Sequence, residues 1–327
     1  MRDGRVFEAG KGRRRAAWRS LVTGLALLSL LSAAGVAHPD GHHSTRRIQP
    51  SVTRESDWHD VATALGHRGV LVDHRAYGIG FPRADLDVIS RGYHVKAIGS
   101  FVSFIRYPDR QTMMMGELAV TEQEVRKVLD VLNAHGISQT SLHKHLPTHR
   151  PALWWVHFHA MGTSPLTMAR GLRAALNATG TPAVSGTPKK VALALNGPAV
   201  DKALGARGRA QGRVYKVTFA RNESVADHGR VLPRMTGATS AFIFQPVSGG
   251  KALLNGDIAV VAKEAPATMK ALRRAGVDII SFHSHMLTDE PRLFFLHLWA
   301  VGDPVTLAKN LRTVIRHTNA RATATTP

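Results

Sequence analysis

The sequence predicts an α+β protein of two homologous tandem domains, each a mostly antiparallel sheet with two helices packed on one side. Three observations predict it. The chain has 327 residues, too long for one typical core and right for two. Its middle matches its own end when residue n is set against residue n+140: Ser100, Phe104, Gly116, Glu124, Gly136, Ser141, Pro151 and Gly162 recur as Ser240, Phe244, Gly256, Glu264, Gly276, Ser281, Pro291 and Gly302. Each copy also runs through the same order of strand-like and helix-like segments.

Within each copy, "RAYGIGF" and "RVYKVTF" read as strands, as do "SFVSFIRY" and "SAFIFQP". "MMMGELAV" or "LLNGDIAV" is a further strand leading into a helix. In the first copy Thr121 and Glu124 have the spacing of a capping box, and Val125, Val128, Leu129 and Leu132 share one helical face before Gly136 ends the helix. Ala265, Met269 and Leu272 keep most of that stripe in the second copy. A strand carrying a His-x-His pair follows, then a turn with Pro151 or Pro291, and then a very apolar strand, "ALWWVHFHAMG" or "RLFFLHLWAVG". Ser164-Pro165 and Asp303-Pro304 open the last helix, with proline at its favoured first position. The apolar strands are hydrophobic on both faces, which predicts that the copies pack on one another as an intramolecular pseudo-dimer.

The ends read differently. "MRDGRVFEAGKGRRRAAWRS" is a basic stretch, followed by the apolar "LVTGLALLSLLSAAGVA" with small residues at its end. Together they have the form of a signal peptide over 1–37 cleaved after Ala37, which predicts a secreted, periplasmic or envelope location. The expected division is then a disordered stretch 38–55, a first repeat domain 56–180, a linker 181–190, a second repeat domain 191–319 and a disordered tail 320–327. Cysteine is absent, which excludes disulfides, thiolate metal sites, a cysteine nucleophile and an acylated cysteine. The net charge is +20, and residues 1–37 carry only seven of the 43 Lys and Arg. The basic residues are scattered and not interleaved with stacking aromatics. Weak attraction to anionic surfaces is expected and nucleic-acid binding is not.

The chemistry sits in the histidines. Residues 141–162 hold five of the chain's 18. His143, His145 and His157 recur as His283, His285 and His297, whereas His135, His149 and His159 become Ala275, Asp289 and Trp299. An acid recurs in kind, Glu117 as Asp257, each after a glycine. Two histidines at i and i+2 on one strand and a third on its neighbour suit a metal; a hairpin centred near Arg150 would set His143 opposite His157. The expected ligands are His143, His145, His157 and Glu117 in one copy and His283, His285, His297 and Asp257 in the other, for a divalent transition metal, zinc or copper. Binding is expected to weaken as pH falls through about 6.5, where free imidazole protonates. Two alternatives stay open: histidine and carboxylate as general acid and base without metal, and structural histidines in a non-catalytic binding module. "HPDGHH" at 38–43 could chelate copper after cleavage, although a flexible histidine-containing tail is the better reading; Met113 to Met115 read as core rather than as soft ligands.

"SFHSHMLTDEPRLFFLHLWAVGD", "GRVYKVTFAR" and the closing "LAKNLRTVIRHT" resemble the LppY/LpqO family, bacterial envelope proteins built on a domain of unknown function. The resemblance spans residues 56–318. It implies an exported protein with an unknown envelope or extracellular ligand and no settled activity, with the motif histidines at the six positions above. Some members are lipoproteins, which this chain without cysteine does not follow. The acidic turn "TDEP" of the second copy is "THRP" in the first, which predicts weaker cation binding there if that turn takes part. No phosphate loop, serine elbow or His-Glu-x-x-His motif supports a named enzyme class, although a metal-dependent hydrolase of an envelope substrate remains an alternative.

Overall fold

The computed structural model describes residues 47–183, 192–234 and 236–323. The expected signal peptide 1–37, the histidines of 38–43 and most of the expected 181–190 linker lie outside them. In the first repeat a 3-10 turn (Glu55–Trp58) leads into α1 (His59–Leu65), β1 (Val70–Val72), β2 (Ala76–Pro82), β3 (Val88–Ser90), β4 (Tyr93–Val95), β5 (Gly99–Arg106), β6 (Thr112–Thr121), α2 (Val125–Ala134), β7 (Ser138–His143), β8 (His149–Arg150), β9 (Leu153–Gly162) and α3 (Pro165–Asn177). The second repeat runs α4 (Gly197–Leu204), β10 (Gly208–Gln211), β11 (Val214–Arg221), β12 (Ala226–Asp227), β13 (Arg230–Val231), β14 (Thr239–Pro246), β15 (Ala252–Val261), α5 (Ala265–Arg274), β16 (Asp278–His283), β17 (Asp289–Glu290), β18 (Leu293–Gly302), α6 (Pro304–Ile315) and β19 (Ala320–Ala322).

The two main sheets have the same antiparallel order, β1-β2-β5-β6-β9-β7 and β10-β11-β14-β15-β18-β16. The helices begin where the sequence places them. Ser164 Oγ accepts from Thr167 N at 3.2 Å and Asp303 Oδ1 from Thr306 N at 2.7 Å, each satisfying a free amide of the first turn. Gly136 follows α2 with φ 66°, the left-handed conformation that ends a helix at little cost. Beyond the two helices expected, each repeat has a third at its entry, α1 and α4. In the first repeat α1, α2 and α3 bury Leu65, Leu132 and Leu172 against Ile79, Phe104 and Phe158 of the sheet. The second repeat packs α4, α5 and α6 through Val200, Leu272 and Leu311 onto Phe242, Phe244 and Leu298.

The other face of each sheet lies on the other repeat. Ile105, Tyr107 and Met113 pack with Phe295 and Met286, and Trp155 and Leu153 with Leu253 and Trp299. The layers therefore run helices, sheet, sheet, helices, with apolar strands buried on both faces as their composition requires. Met113 and Met114 are fully buried core residues. Because Phe295 and Trp299 of one repeat and Met113 and Trp155 of the other would be stripped of their cover, either repeat expressed alone is expected to aggregate or self-associate. Two monomeric, soluble halves in a sedimentation experiment would contradict this packing.

Three segments differ from expectation. Residues 47–55 are not disordered: Ile48 bridges Arg230, Ser51 N donates to Arg106 O at 2.8 Å, and Trp58 Nε1 donates to Thr53 Oγ1 at 3.1 Å. Nor is the start of the tail, where β19 pairs with β11 because that strand's edge is open beside β10. The turn strands β3, β4 and β8 form a small separate sheet, matched by β12, β13 and β17 in the second repeat.

The recurring Glu124 and Glu264 are structural. Arg83 binds Glu124 at 2.9 Å and Arg221 binds Glu264 at 2.6 Å, and each arginine also donates to a strand carbonyl, Ala119 or Ala259. Glu124 accepts from Thr121 N at 2.7 Å, half of the expected capping box. Arg221→Met leaves the Glu264 carboxylate buried without its partner. A loss of about 3–5 kcal/mol in denaturant unfolding is expected.

Candidate metal centre between the repeats

β7 would turn Leu142 inward and His143 outward if it alternated regularly, because one residue of slip exchanges the faces. A bulge at Thr140 prevents this. Ser138 pairs with His159, and after the irregularity Ser141 pairs with His157 and His143 with Trp155. The expected hairpin register is thus off by two residues; His143 opposes Trp155, not His157. A shift of two keeps the face, so both histidines still point between the sheets. The second repeat repeats the device at Ile280, with Ser281 opposite His297 and His283 opposite Phe295. His145 and His285 lie just past the strand ends and are carried back over the sheet, where His145 stacks on Trp155 at 4.1 Å and His285 on Phe295 at 3.3 Å. Glu117 and Asp257 are the cross-strand neighbours of His157 and His297. The glycines before them are needed, because a Cβ on Gly116 or Gly256 would run into the carbonyl of Phe101 or Ala241.

The expectation of one site per copy is corrected by the packing of the sheets. Both histidine faces point inward, so the two sets merge into one cluster. The rings of His143 and of its counterpart His283 lie 3.4 Å apart. On either side of them His145 stacks on His297 at 3.7 Å and His285 on His157 at 4.1 Å. Three groups bring ligand atoms within 4.8 Å of one another: His143, His145 and His297; His143, His157 and His283; and Glu117, His145 and His157. Two of the three mix the repeats. Among the described residues His283, His285, His297 and Asp257 form no such group by themselves.

Three of the rings are held by their far nitrogens. His297 Nδ1 lies 3.1 Å from Gly256 O, and a carbonyl can only accept, so Nδ1 carries the proton and Nε2 a lone pair. Ser141 and Ser281 hold Nδ1 of His143 and His283 at 3.1 and 3.4 Å. Cross-repeat bonds fix the turns: Thr140 Oγ1 donates to His285 O at 2.6 Å and Asn255 Nδ2 to His145 O at 3.1 Å. Nε2 of His157, His283, His285 and His297 is buried without a hydrogen-bond partner, and Nε2 of His143 and His145 face each other at 3.0 Å. Burial, and then repulsion from the neighbouring imidazoles, lowers the pKa of His143, His145, His283 and His285 far below the ordinary value, to about 2 for His283, and that of His297 to about 3. These five are neutral, the form that binds metal. The residues fit a transition metal: four buried Nε2 atoms have no hydrogen-bond partner, and three of the rings are fixed from behind at Nδ1.

A cavity of about 1160 Å³ opens beside the cluster, lined by both repeats and including Glu117, Asp257, His145, His285, Lys216 and Phe101. Glu117 Oε2 lies 3.3 Å from His157 Nε2 and 3.5 Å from His145 Nε2, whereas Asp257 is 3.9 Å from His285. Burial, and then Glu117, pushes the Asp257 carboxyl up to about 7. Lys216 had no signal in the repeat comparison, since Gly78 stands at its place in "YGIGF"; it lies on the cavity wall with its pKa lowered, chiefly by burial.

The histidines set aside by the comparison are accounted for in part. His149 Nε2 accepts from Leu153 N at 2.8 Å, and Asp289 Oδ2 accepts from Leu293 N at 2.7 Å. The exchange of "THRP" for "TDEP" swaps one turn acceptor for another and does not touch the cluster, so the acidic turn contributes nothing there. His149→Ala is expected to cost about 1–3 kcal/mol, for a buried amide left without its acceptor, and no metal. Denaturation and elemental analysis of the same sample check both parts.

Fold and site define a duplicated α+β protein with one histidine cluster shared by its two halves. The chain belongs to the family described as Domain of Unknown Function (DUF1259), whose model matches residues 59–178 and 198–317. No curated protein matches it. Among solved structures it is similar to a double-ringed trimeric shell protein of the RMM microcompartment, 17% identical over 63% of this chain and 81% of that one, with a TM-score of 0.18. It is also similar to the trimeric microcompartment shell protein PduB, 13% identical over 77% and 90%, TM-score 0.18, and to EtuB from Clostridium kluyveri, 10% identical over 76% and 91%, TM-score 0.17. At such scores these likenesses carry no structural or functional argument.

Proposed function

We propose that the protein is an exported metalloprotein in which the central cluster holds a divalent transition metal, zinc or copper, and the adjoining cavity admits a small molecule to it. One observation carries the reading: four buried imidazole Nε2 atoms without a hydrogen-bond partner crowd one place. Each unsatisfied buried group costs about 1–3 kcal/mol, and a bound ion removes that cost. Burial between the sheets favours a resident ion over a rapidly delivered one, so sensing or ligand binding suits the site better than storage. A metal-dependent hydrolase is the second reading, favoured by Glu117 standing between the histidines and the cavity. The ion would supply Lewis acidity, and Glu117 would take a proton from a molecule held in the cavity. Export rests on the N-terminal residues and the LppY/LpqO resemblance, and N-terminal sequencing of mature protein beginning near His38 would support it. Elemental analysis of untagged protein from its native compartment tests the metal. Stoichiometric zinc or copper supports the proposal, and protein that stays metal-free after equilibration with both ions contradicts it.

A further inference from the structure

We infer a second, separate cation site formed by His159, Asp227 and His228, for a divalent first-row transition ion such as zinc or manganese. The three ligand atoms lie within 4.8 Å of one another. Asp227 Oδ2 is 3.1 Å from His159 Nε2 and 3.2 Å from His228 Nδ1. Neighbouring ligands on an ion with bonds near 2.0–2.2 Å stand roughly 3 Å apart, so this spacing suits one ion. The His159 side chain is about nine-tenths buried, and its Nε2 is paired with Asp227 Oδ2 and with no other group among the described residues. It reaches the triad as the ion-pair partner of the Asp227 carboxylate. Asp227 is almost fully buried, and Thr288 Oγ1 donates to its other oxygen at 2.6 Å, which fixes the carboxylate while leaving Oδ2 toward the imidazoles.

His228 closes the triad from the solvent side. It is about half exposed and holds φ at 48°, a conformation unfavourable for histidine that the β12–β13 turn imposes. Two imidazoles and one carboxylate with open positions form a common ligand set for iron, manganese or zinc. The triad crosses the repeats, since His159 lies on β9, Asp227 at the end of β12 and His228 in the turn after it. It is also asymmetric, because Trp299 takes the place of His159 in the second repeat. Of the three, His159 also lines the central cavity.

The site does not depend on the central cluster being loaded, and cobalt titration of untagged, metal-stripped full-length protein separates the two. Cobalt(II) absorption and calorimetry should show two classes of site. His228→Asn keeps a residue tolerant of positive φ and removes the imidazole. This variant and Asp227→Asn should each weaken one class at least tenfold and leave the other intact, whereas His143→Ala should do the reverse. Circular dichroism and the melting curve check that each variant is folded. Binding that is unchanged in both His228→Asn and Asp227→Asn overturns the second site, as does a single class abolished by His143→Ala. A His143→Ala protein that still binds one class sensitive to His228→Asn supports it, whatever the central cluster does.

Discussion

The His143→Ala protein is expected to fold and to bind the ion proposed for the central cluster far more weakly. His143 belongs to two of the three ligand groups and sits against its counterpart His283, so its removal dismantles both mixed sets at once. Loss of an outer partner of a metal ligand costs roughly 10–100-fold in affinity, and loss of a shared ligand should exceed that. The hydrophobic contacts of the sheets survive the change, and so does the Arg83–Glu124 pair. Ser281→Ala, which releases only the far nitrogen of His283, should fall in the lower range. Competition against a chromophoric zinc chelator measures both. Equal affinity in wild type and His143→Ala would refute the shared site.

Acid should act on the metal-free protein through folding. In the unfolded chain the histidines protonate below about 6.5. In the folded, metal-free protein five of them resist protonation to far lower pH, His297 to about 3 and His283 to about 2. Between those limits the unfolded state binds more protons, so stability is full above about 6.5 and falls as pH falls. The slope can reach about 1.4 kcal/mol per pH unit for each titrating imidazole. The structure also revises the expected pH window for metal binding. Because these imidazoles are already neutral when folded, binding should persist below 6.5 and be lost with acid unfolding. Chemical denaturation between pH 7.5 and 5, with and without zinc, checks this. A metal-free protein equally stable at both ends would contradict the buried neutral cluster.

The fold class was legible because the copies repeat one pattern and their strands alternate or are apolar throughout. The recurrence also found the cluster: all six histidines and both carboxylates meet in one region. The merging of the two sets was not legible, since it depends on which faces of separate sheets meet. Nor was the bulge at Thr140, which leaves no mark in a polar segment and decides which side of β7 faces inward. Recurrence also selected residues of another kind. Arg83, Glu124 and their counterparts recur as firmly as the histidines, yet they tie strands to helices. His149 looked lost in the second repeat although Asp289 keeps its task. His159 was set aside for lacking a counterpart, a criterion blind to a site built once across both halves.

Diffraction from crystals of untagged protein, with anomalous data at the absorption edges of zinc and copper, tests the central claim most directly. The account predicts an anomalous peak between the two sheets, bonded to His143 and to at least one of His283 and His297 at about 2.0–2.1 Å. A cluster without any such peak in metal-equilibrated crystals would contradict it, as would separate ions each held by the histidines of one repeat alone.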